Sequence, residues 1–296
     1  FQTELVQGWV GSRAAGARFV VGLQSVPVRQ FRDFVKEGGT VTGWTRVSIL
    51  LFRAYGLLVR RVLESATEVV CLTEGIRDVT EEVFDVDLSR ATVIGMGIDS
   101  EWFATNGAEP PVEPSATAWT ITYLGTIHGT RGLDDAIEGI AATDHEVELL
   151  VAGGGSDAHI SALEARAREL GVEDRVRWLG MVPHDDVPSL LTATDVAISP
   201  LADIESYRIS FPAKLLEYMA AGCVVLATDI EPHRRLIDDG INGYLHANGP
   251  DGFRAGLDRC LADADRHDEV RERATETAVA HDWDHVVAEH EGVIFP

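Results

Sequence analysis

The feature that most constrains the fold is an alternation: short apolar runs keep giving way to segments with helical spacing. WTITYLG (119–125), VELLVAGGG (147–155), VRWLGMV (176–182) and VAISPL (196–201) have the continuous apolar character of strands covered on both faces. LDDAIEGIAA (133–142), SALEARAREL (161–170) and VPSLLTATD (187–195) lie between them and read as helices. FPAKLLEYMAAGCVVLATD (211–229) adds a helix running into another buried strand, and FRAGLDRCLAD (253–263) a further helix. Strands separated by helices of about ten residues predict right-handed βαβ units and a mostly parallel sheet. The fold class is therefore α/β, and residues 119–280 read as one nearly complete Rossmann-like domain.

The alternation is thinner before residue 105. Strands are expected over 18–24, 69–73 and 91–99, with helices over 44–65 and 75–84. A doubly wound half has about five or six strands. Residues 1–105 are thus expected to be an incomplete N-terminal Rossmann-like domain, with the chain starting midway through it. Residues 106–118, rich in Pro, Ala, Thr and Gly, read as a linker.

Composition narrows the setting. The net charge of −23 comes from 48 acids against 25 bases, and Lys36 and Lys214 are the only lysines. Acid-rich, lysine-poor surfaces stay hydrated when salt screens their repulsion, so a high-salt organism is expected. The same charge argues against nucleic acid as a partner. Cys71, Cys223 and Cys260 have neither metal nor redox spacing, which fits a reducing, cytoplasmic setting. Residues 1–63 run against the trend, with nine bases and three acids. In TRVSILLFRAYGLLVRRVL, Arg46, Arg53 and Arg60 recur every seven residues, with Ile49, Leu50, Leu57 and Leu58 between them. Two readings stand: residues 44–63 lie on an anionic membrane surface, or they form a core helix whose arginines end at the surface.

In open parallel sheets, ligands bind beyond the C-terminal ends of the strands. The loop GTIHGTRG (125–132) follows one such end. Gly125 permits close backbone approach, Gly129 and Gly132 permit tight turns, and Arg131 can pair with phosphate. The loop is neither a P-loop nor G-x-G-x-x-G, and an ordinary βα turn is the other reading. Gly153, Gly154 and Gly155 either offer N–H groups to an anion or sugar or form a flexible turn. In the 211–229 stretch, Pro212 suits a first helical turn and Gly222 a stop. Leu215, Leu216, Met219 and Ala220 make the buried face, and Lys214 and Glu217 share the other. The free N–H groups of 212–215 with Lys214 would form an anion site. Glu217, one turn deeper, could accept hydrogen bonds from ribose hydroxyls. The alternative is a surface ion pair between the two. Asp85 and Asp87 (D-x-D) read as solvated loop acids, and His281 with His285 as an exposed helix face, so no metal site is expected.

Together the segments YLGTIHGTRGL, LLVAGGGSD, VRWLGMV and ISPLADIESYRISFPAKLLEYMAAGCVVLATDIEPHRRLIDDGINGYL resemble the donor-site region of family 4 glycosyltransferases of the GT-B fold. The likeness extends through ATEVVCLTEGIRDVTEEVF and ATVIGMGIDSEWF. AVAHDWDHVVAEHE is similar to the closing helix that crosses back to the first domain in that family, which assigns 281–296 to it. The resemblance, with the charge, implies a member from a halophilic archaeon with two Rossmann-like domains. It implies Glu217 on the ribose of a nucleotide-sugar donor, Arg131 on the diphosphate where the family has lysine, and Val182 and Pro183 lining the base pocket. Backbone at Ser210, Phe211, Ala213 and Leu215 would hold sugar and phosphates, beside Gly125, Thr126, Gly132 and Gly153. Arg131 and Lys214 would be the catalytic pair and Gln24 would lie on the acceptor side. Three positions depart from the family pattern: Thr126 stands where arginine is common, Ile209 where many members have glutamate, and Gln24 near a frequent histidine. The implied activity is retaining, metal-independent transfer of a hexosyl group to a glycan or lipid-linked acceptor, without cofactor, in cell-envelope glycan synthesis at the inner face of the membrane. The rival readings are a GT-B sugar-nucleotide epimerase, whose extra acids and bases are not found, and a catalytically degenerate nucleotide- or partner-binding module.

Overall fold

The computed structural model of the chain describes residues 2–24, 45–107, 113, 115 and 117–296. Two compact units emerge: Phe1–Met96 with Ile209–Phe211 and Asp284–Pro296, and Gly97–Arg208 with Pro212–Trp283. The division falls at Met96–Gly97, ahead of the 106–118 segment, part of which lies outside the described residues.

In the first unit, α1 (Gln2–Ala15), β1 (Val20–Leu23), α2 (Thr45–Glu64), β2 (Glu68–Cys71), α3 (Glu74–Phe84) and β3 (Thr92–Val93) follow in order. Their strands form a parallel sheet, β1-β2-β3, with Val20 opposite Glu68 and Val70 opposite Thr92. Val21, Leu23, Val59, Leu63, Val69, Cys71 and Ile76 fill the core between sheet and helices. The strand expected over 91–99 pairs only at Thr92–Val93. Beyond it the Phe211 ring packs so closely on Gly95 that a Cβ there would lie 2.7 Å away. Thr73 caps α3, its Oγ1 accepting from the Ile76 N–H at 3.1 Å and donating to the Ile209 carbonyl at 2.8 Å. Ile209 itself packs against the same core. The C-terminal helix Trp283–Ile294 sets Val286 against Val70 and Ile94, and Arg18 donates to the Ile294 carbonyl at 3.1 Å.

The basic helix is α2. Val59, Val62 and Leu63 are buried, whereas Leu57 is 69% exposed. Arg60 is held in ion pairs with Glu64, at 2.7 Å, and with Asp85. The side chains of Arg46, Ile49, Leu50 and Arg53 lie outside the described residues. Asp87, the other acid of the D-x-D sequence, accepts from the Ser89 N–H at 2.9 Å.

The second unit holds α4 (Ser100–Thr105), β4 (Trp119–Leu124), α5 (Leu133–Ala142), β5 (Val147–Ala152), α6 (Asp157–Glu169), β6 (Val176–Gly180), α7 (Val187–Thr192), β7 (Val196–Ser199), α8 (Glu205–Arg208), α9 (Ala213–Ala220), β8 (Val224–Thr228), α10 (Glu231–Arg234), β9 (Tyr244–His246), α11 (Pro250–Ala262) and α12 (His267–Ala280), before α13 (Trp283–Ile294). The strands make a six-stranded parallel sheet ordered β6-β5-β4-β7-β8-β9. That is the doubly wound Rossmann order, with helices on both faces. Helices on both faces explain why β7 and β8 are buried at every residue and read as unbroken apolar runs. Gly139 of α5 admits the Phe253 ring of α11 against it, which draws the two helices together over the sheet.

Two elements had no clear sequence signal. β9 is a three-residue strand containing a histidine, and α12 has charged residues around most of its surface. The closing helix expected from 281 begins at Trp283. Here the chain breaks between α12 and α13, where the Ile98 N–H bonds to the His281 carbonyl and the Trp283 N–H to the Ile98 carbonyl, both at 3.0 Å. Asp282 fixes the break by accepting from the Ser100 N–H at 3.0 Å.

His233, at the C-terminal ends of β7 and β8, is fully buried. Its Nδ1 donates to the Thr228 carbonyl at 2.8 Å, and burial pushes its pKa down to about 4. The unfolded value is about 6.5, so protonation favours unfolding. The stabilisation is complete above pH ~6.5 and is lost as pH falls through that window toward 4, at up to about 1.4 kcal/mol per pH unit. Urea unfolding at stepped pH should show this slope in the native chain and a shallower one in His233→Gln; identical slopes would refute it.

Candidate donor-binding site

The strand order reverses between β4 and β7, and this switch point is where a parallel sheet opens a crevice for ligands. The recorded β4–β7 pairing covers only Ile121–Val196 and Thr122–Ala197. Further up, the Tyr218 hydroxyl takes the place of a neighbouring strand. It accepts from the Leu124 N–H at 3.1 Å and lies 3.3 Å from the Leu124 carbonyl and 3.5 Å from the Ile198 carbonyl. Tyr218 is fully buried in α9. A buried tyrosine must satisfy its hydroxyl, and here that requirement seats α9 against the open end of the sheet.

α9 carries the two polar residues singled out in the sequence. Lys214 reaches across the first loop: its Cε lies 2.7 Å from where a Gly125 Cβ would stand, and its ammonium 3.6 Å from the same point. Among the described residues it pairs with no acid, so the surface ion pair with Glu217 does not form. The expected run of free N–H groups over 212–215 is shorter. Pro212 has none, and the Leu215 N–H bonds to the Pro212 carbonyl at 3.0 Å, which leaves Ala213 and Lys214 at the helix mouth. Glu217 is partly buried, and burial pushes its carboxyl above the usual range while Lys214 and His184 draw it back. His184 is stacked on Trp102 of α4, centroids 4.5 Å apart and planes 13° from parallel.

The 125–132 loop is docked on the 200–208 segment. Gly132, with φ 71°, lies so close to the Pro200 carbonyl that any side chain would collide with it. The Ala202 N–H bonds to the Thr130 carbonyl at 3.1 Å, and Thr130 Oγ1 to the Tyr207 hydroxyl at 2.7 Å. The Arg131 guanidinium lies over the Tyr207 ring, 5.2 Å from its centroid. Thr126 is exposed, and its carbonyl accepts from the Tyr123 hydroxyl at 2.7 Å.

Gly153 makes a close backbone contact. Its N–H is taken by the Gly180 carbonyl at 2.7 Å, and a Cβ would strike the Gly125 carbonyl. The packing of two strand ends there by itself requires a glycine. Val182 packs on Leu150, Ala152 and Leu190, and Pro183 is exposed at the head of the turn that carries His184. Ser210 and Phe211 fold with the first unit. So does Gln24, exposed just after β1. The residues sequence reasoning missed are Tyr218, Tyr207, His184 and Trp102. Only Tyr218 left a trace, as an aromatic within the apolar face of a helix.

Electrostatics sets this place apart. Arginines elsewhere in the unit, such as Arg166, Arg208, Arg234 and Arg259, are salt-bridged. Arg131 and Lys214 are partly buried and, among the described residues, ion-paired with no acid. Desolvated cations without partners are costly, so Arg131 and Lys214 are the candidates in this unit to meet an anion. No group of three or more His, Cys, Asp or Glu side chains gathers to hold a metal among the described residues. A cavity of about 380 Å³, lined by Thr120, Thr194, Asp195, Gly222 and Arg271, sits at the opposite, N-terminal ends of the strands. Gly132→Ala should cost more than about 1 kcal/mol, from strain at positive φ and the clash with Pro200. A thermal melt unchanged from the native chain would count against this docking.

Residues 118–263 match the family of glycosyl transferases group 1. The chain is 27% identical over 240 residues to D-inositol 3-phosphate glycosyltransferase of Corynebacterium kroppenstedtii, covering 76% of this chain and 52% of that protein. It is 30% identical over 178 residues to phosphatidyl-myo-inositol mannosyltransferase of Mycobacterium leprae, covering 57% and 44%. The chain thus spans about half the length of the curated relatives it matches. Anabaena HepE, solved in complex with UDP, superposes with a TM-score of 0.76 at 18% identity, over 99% of this chain and 76% of that one. The fold is that of GT-B glycosyltransferases, two Rossmann-like domains built on parallel sheets. The group 1 match, residues 118–263, falls within the second unit apart from Ile209–Phe211.

Proposed function

We propose that the chain transfers a hexosyl group from a nucleoside-diphosphate sugar, with retention at the anomeric carbon and without a metal. The observation that carries this reading is the pair of partly buried cations, Arg131 and Lys214, that among the described residues form no ion pair, at the switch point of a protein of net charge −23. Negative charge grows on the diphosphate as the glycosidic bond breaks. Two fixed cations and the mouth of α9 stabilise that charge, the task a metal performs in other transferases. The bond from the anomeric carbon to the phosphate oxygen breaks, the acceptor oxygen bonds to that carbon on the same face, and the acceptor proton passes to the departing phosphate. Glu217 accepts from the ribose hydroxyls, with the base near Val182 and Pro183. The group 1 match, the two glycosyltransferase relatives and the UDP complex of HepE support a nucleotide-sugar donor.

The acceptor is a glycan or lipid-linked sugar in a high-salt, cytoplasmic setting. The basic run of α2, with Leu57 exposed, favours approach to an anionic lipid surface. Sedimentation with vesicles containing phosphatidylglycerol, against neutral vesicles, tests that part; equal binding to both sinks it.

One observation favours the second reading, a nucleotide-binding module without transfer. Ile209, at the family's frequent glutamate position, is packed into the core of the first unit and offers no carboxylate. Radiolabelled donor sugars incubated with lipid extract in molar potassium chloride decide between them: glycolipid product is expected, and nucleotide binding without product would favour the module. Arg131→Met and Lys214→Met should each cost about 2–4 kcal/mol in kcat/KM. Glu217→Ala should abolish nucleotide binding. Since the ionised carboxylate accepts more strongly and through both oxygens, native affinity should fall as pH is lowered through the raised pKa of Glu217.

A further inference from the structure

Arg131 has an unusual neighbour for an arginine in an acidic protein. Its guanidinium rests on an aromatic face, and among the described residues it forms no ion pair with a carboxylate. The distinction matters chemically. A carboxylate would neutralise the charge and occupy the N–H donors, whereas a ring beneath the plane holds the group in place and leaves charge and N–H edge available. The ring belongs to Tyr207, in the short helix α8 that precedes α9. Tyr207 is used at both ends: its hydroxyl bonds to Thr130 Oγ1 at 2.7 Å, and Thr130 Oγ1 lies 3.1 Å from His128 Nδ1. The residue just before Arg131 and the face beneath its guanidinium are therefore set by one side chain. The Ala202–Thr130 bond and the Gly132–Pro200 approach keep that side chain in register with the loop.

We propose that Tyr207 is a positioning residue, which aims Arg131 at the diphosphate of the bound nucleotide through its ring and fixes the loop through its hydroxyl. The proposal rests on the nucleotide-sugar reading above, and it says which part of the ligand each half of Tyr207 governs. The ring acts through Arg131 and so on the diphosphate. The nucleoside end, held at Glu217, does not depend on it.

Calorimetry in molar potassium chloride tests this, with UDP, GDP and ADP each titrated beside its monophosphate. Two variants divide the side chain: Tyr207→Phe keeps the ring and loses the bond to Thr130, and Tyr207→Gln, whose amide is shorter than a tyrosine, loses both, so the difference between the two variants isolates the ring. Tyr207→Gln is expected to weaken the diphosphate about tenfold and to leave the monophosphate within about twofold, while Tyr207→Phe stays close to the native chain for both. In an Arg131→Ala background, adding Tyr207→Gln should change nothing further, because the two act as one unit. Equal losses for mono- and diphosphate, or losses that add in the double variant, would assign Tyr207 a general structural role and overturn the proposal. Native binding with an unchanged Tyr207→Gln would overturn it as well, and leave the nucleotide-sugar reading standing. No binding of any diphosphate to the native chain would remove that reading and the proposal together. If Tyr207→Gln fails to fold by its melting curve, Tyr207→Leu replaces it with the same expected outcomes, and a tenfold diphosphate loss in Tyr207→Phe overturns the role of the ring.

Discussion

The site depends on one hydroxyl. Where β4 and β7 part, Leu124 keeps β5 on one side but has no β7 residue on the other, and an unpaired peptide group away from water is expensive. Tyr218 supplies the missing partner from α9. The same bond that completes the sheet also anchors the helix bearing Lys214 and Glu217. Lys214, one turn before Tyr218 on that helix, lies across Gly125. The crevice of a Rossmann sheet is a consequence of its strand order; its occupation by α9 is a consequence of this contact.

Charge is the second constraint. A protein this acidic has acids to spare for nearly every base, and most of the arginines of the second unit take one. Keeping Arg131 and Lys214 out of ion pairs with the acids of the described residues therefore requires particular packing. Arg131 is kept clear by a tyrosine face and Lys214 by the loop it crosses. Both are partly desolvated, which strengthens their field toward an anion relative to cations in water. Glu217 shows the opposite treatment: its carboxylate is retained near a lysine and a histidine in a place where burial disfavours it.

Much of the fold was legible in the residues, for a reason visible in particular elements. β5 and β8 are covered on both sides, so their apolar character is continuous and cannot be mistaken. The weaker cases were those in which neighbours, not local propensity, set the structure. β9 is three residues long and exists because β8 offers it an edge. β3 stops at Val93 because an aromatic ring claims the glycine backbone beyond it. Gly153 looked like a ligand loop because a glycine that accommodates a neighbouring carbonyl and one that accommodates a phosphate are the same letter. For the site, Lys214, Glu217 and Arg131 were readable as unusual residues at strand and helix ends. Tyr207, His184 and Trp102 were not, since nothing local distinguishes an aromatic that holds a guanidinium or an imidazole from one that fills space.

By itself the sequence determined the α/β class, the parallel sheet and the loops in which an anion could be met. Those follow from periodicity and from the few conformations open to glycine and proline, which are local matters. Tertiary structure alone decided which cations stay unpaired, which glycines are spacers, and that Ile209–Phe211 fold with the first unit while their chain neighbours fold with the second. Each is set by atoms distant in sequence, brought within a few ångströms by the packing of the sheet.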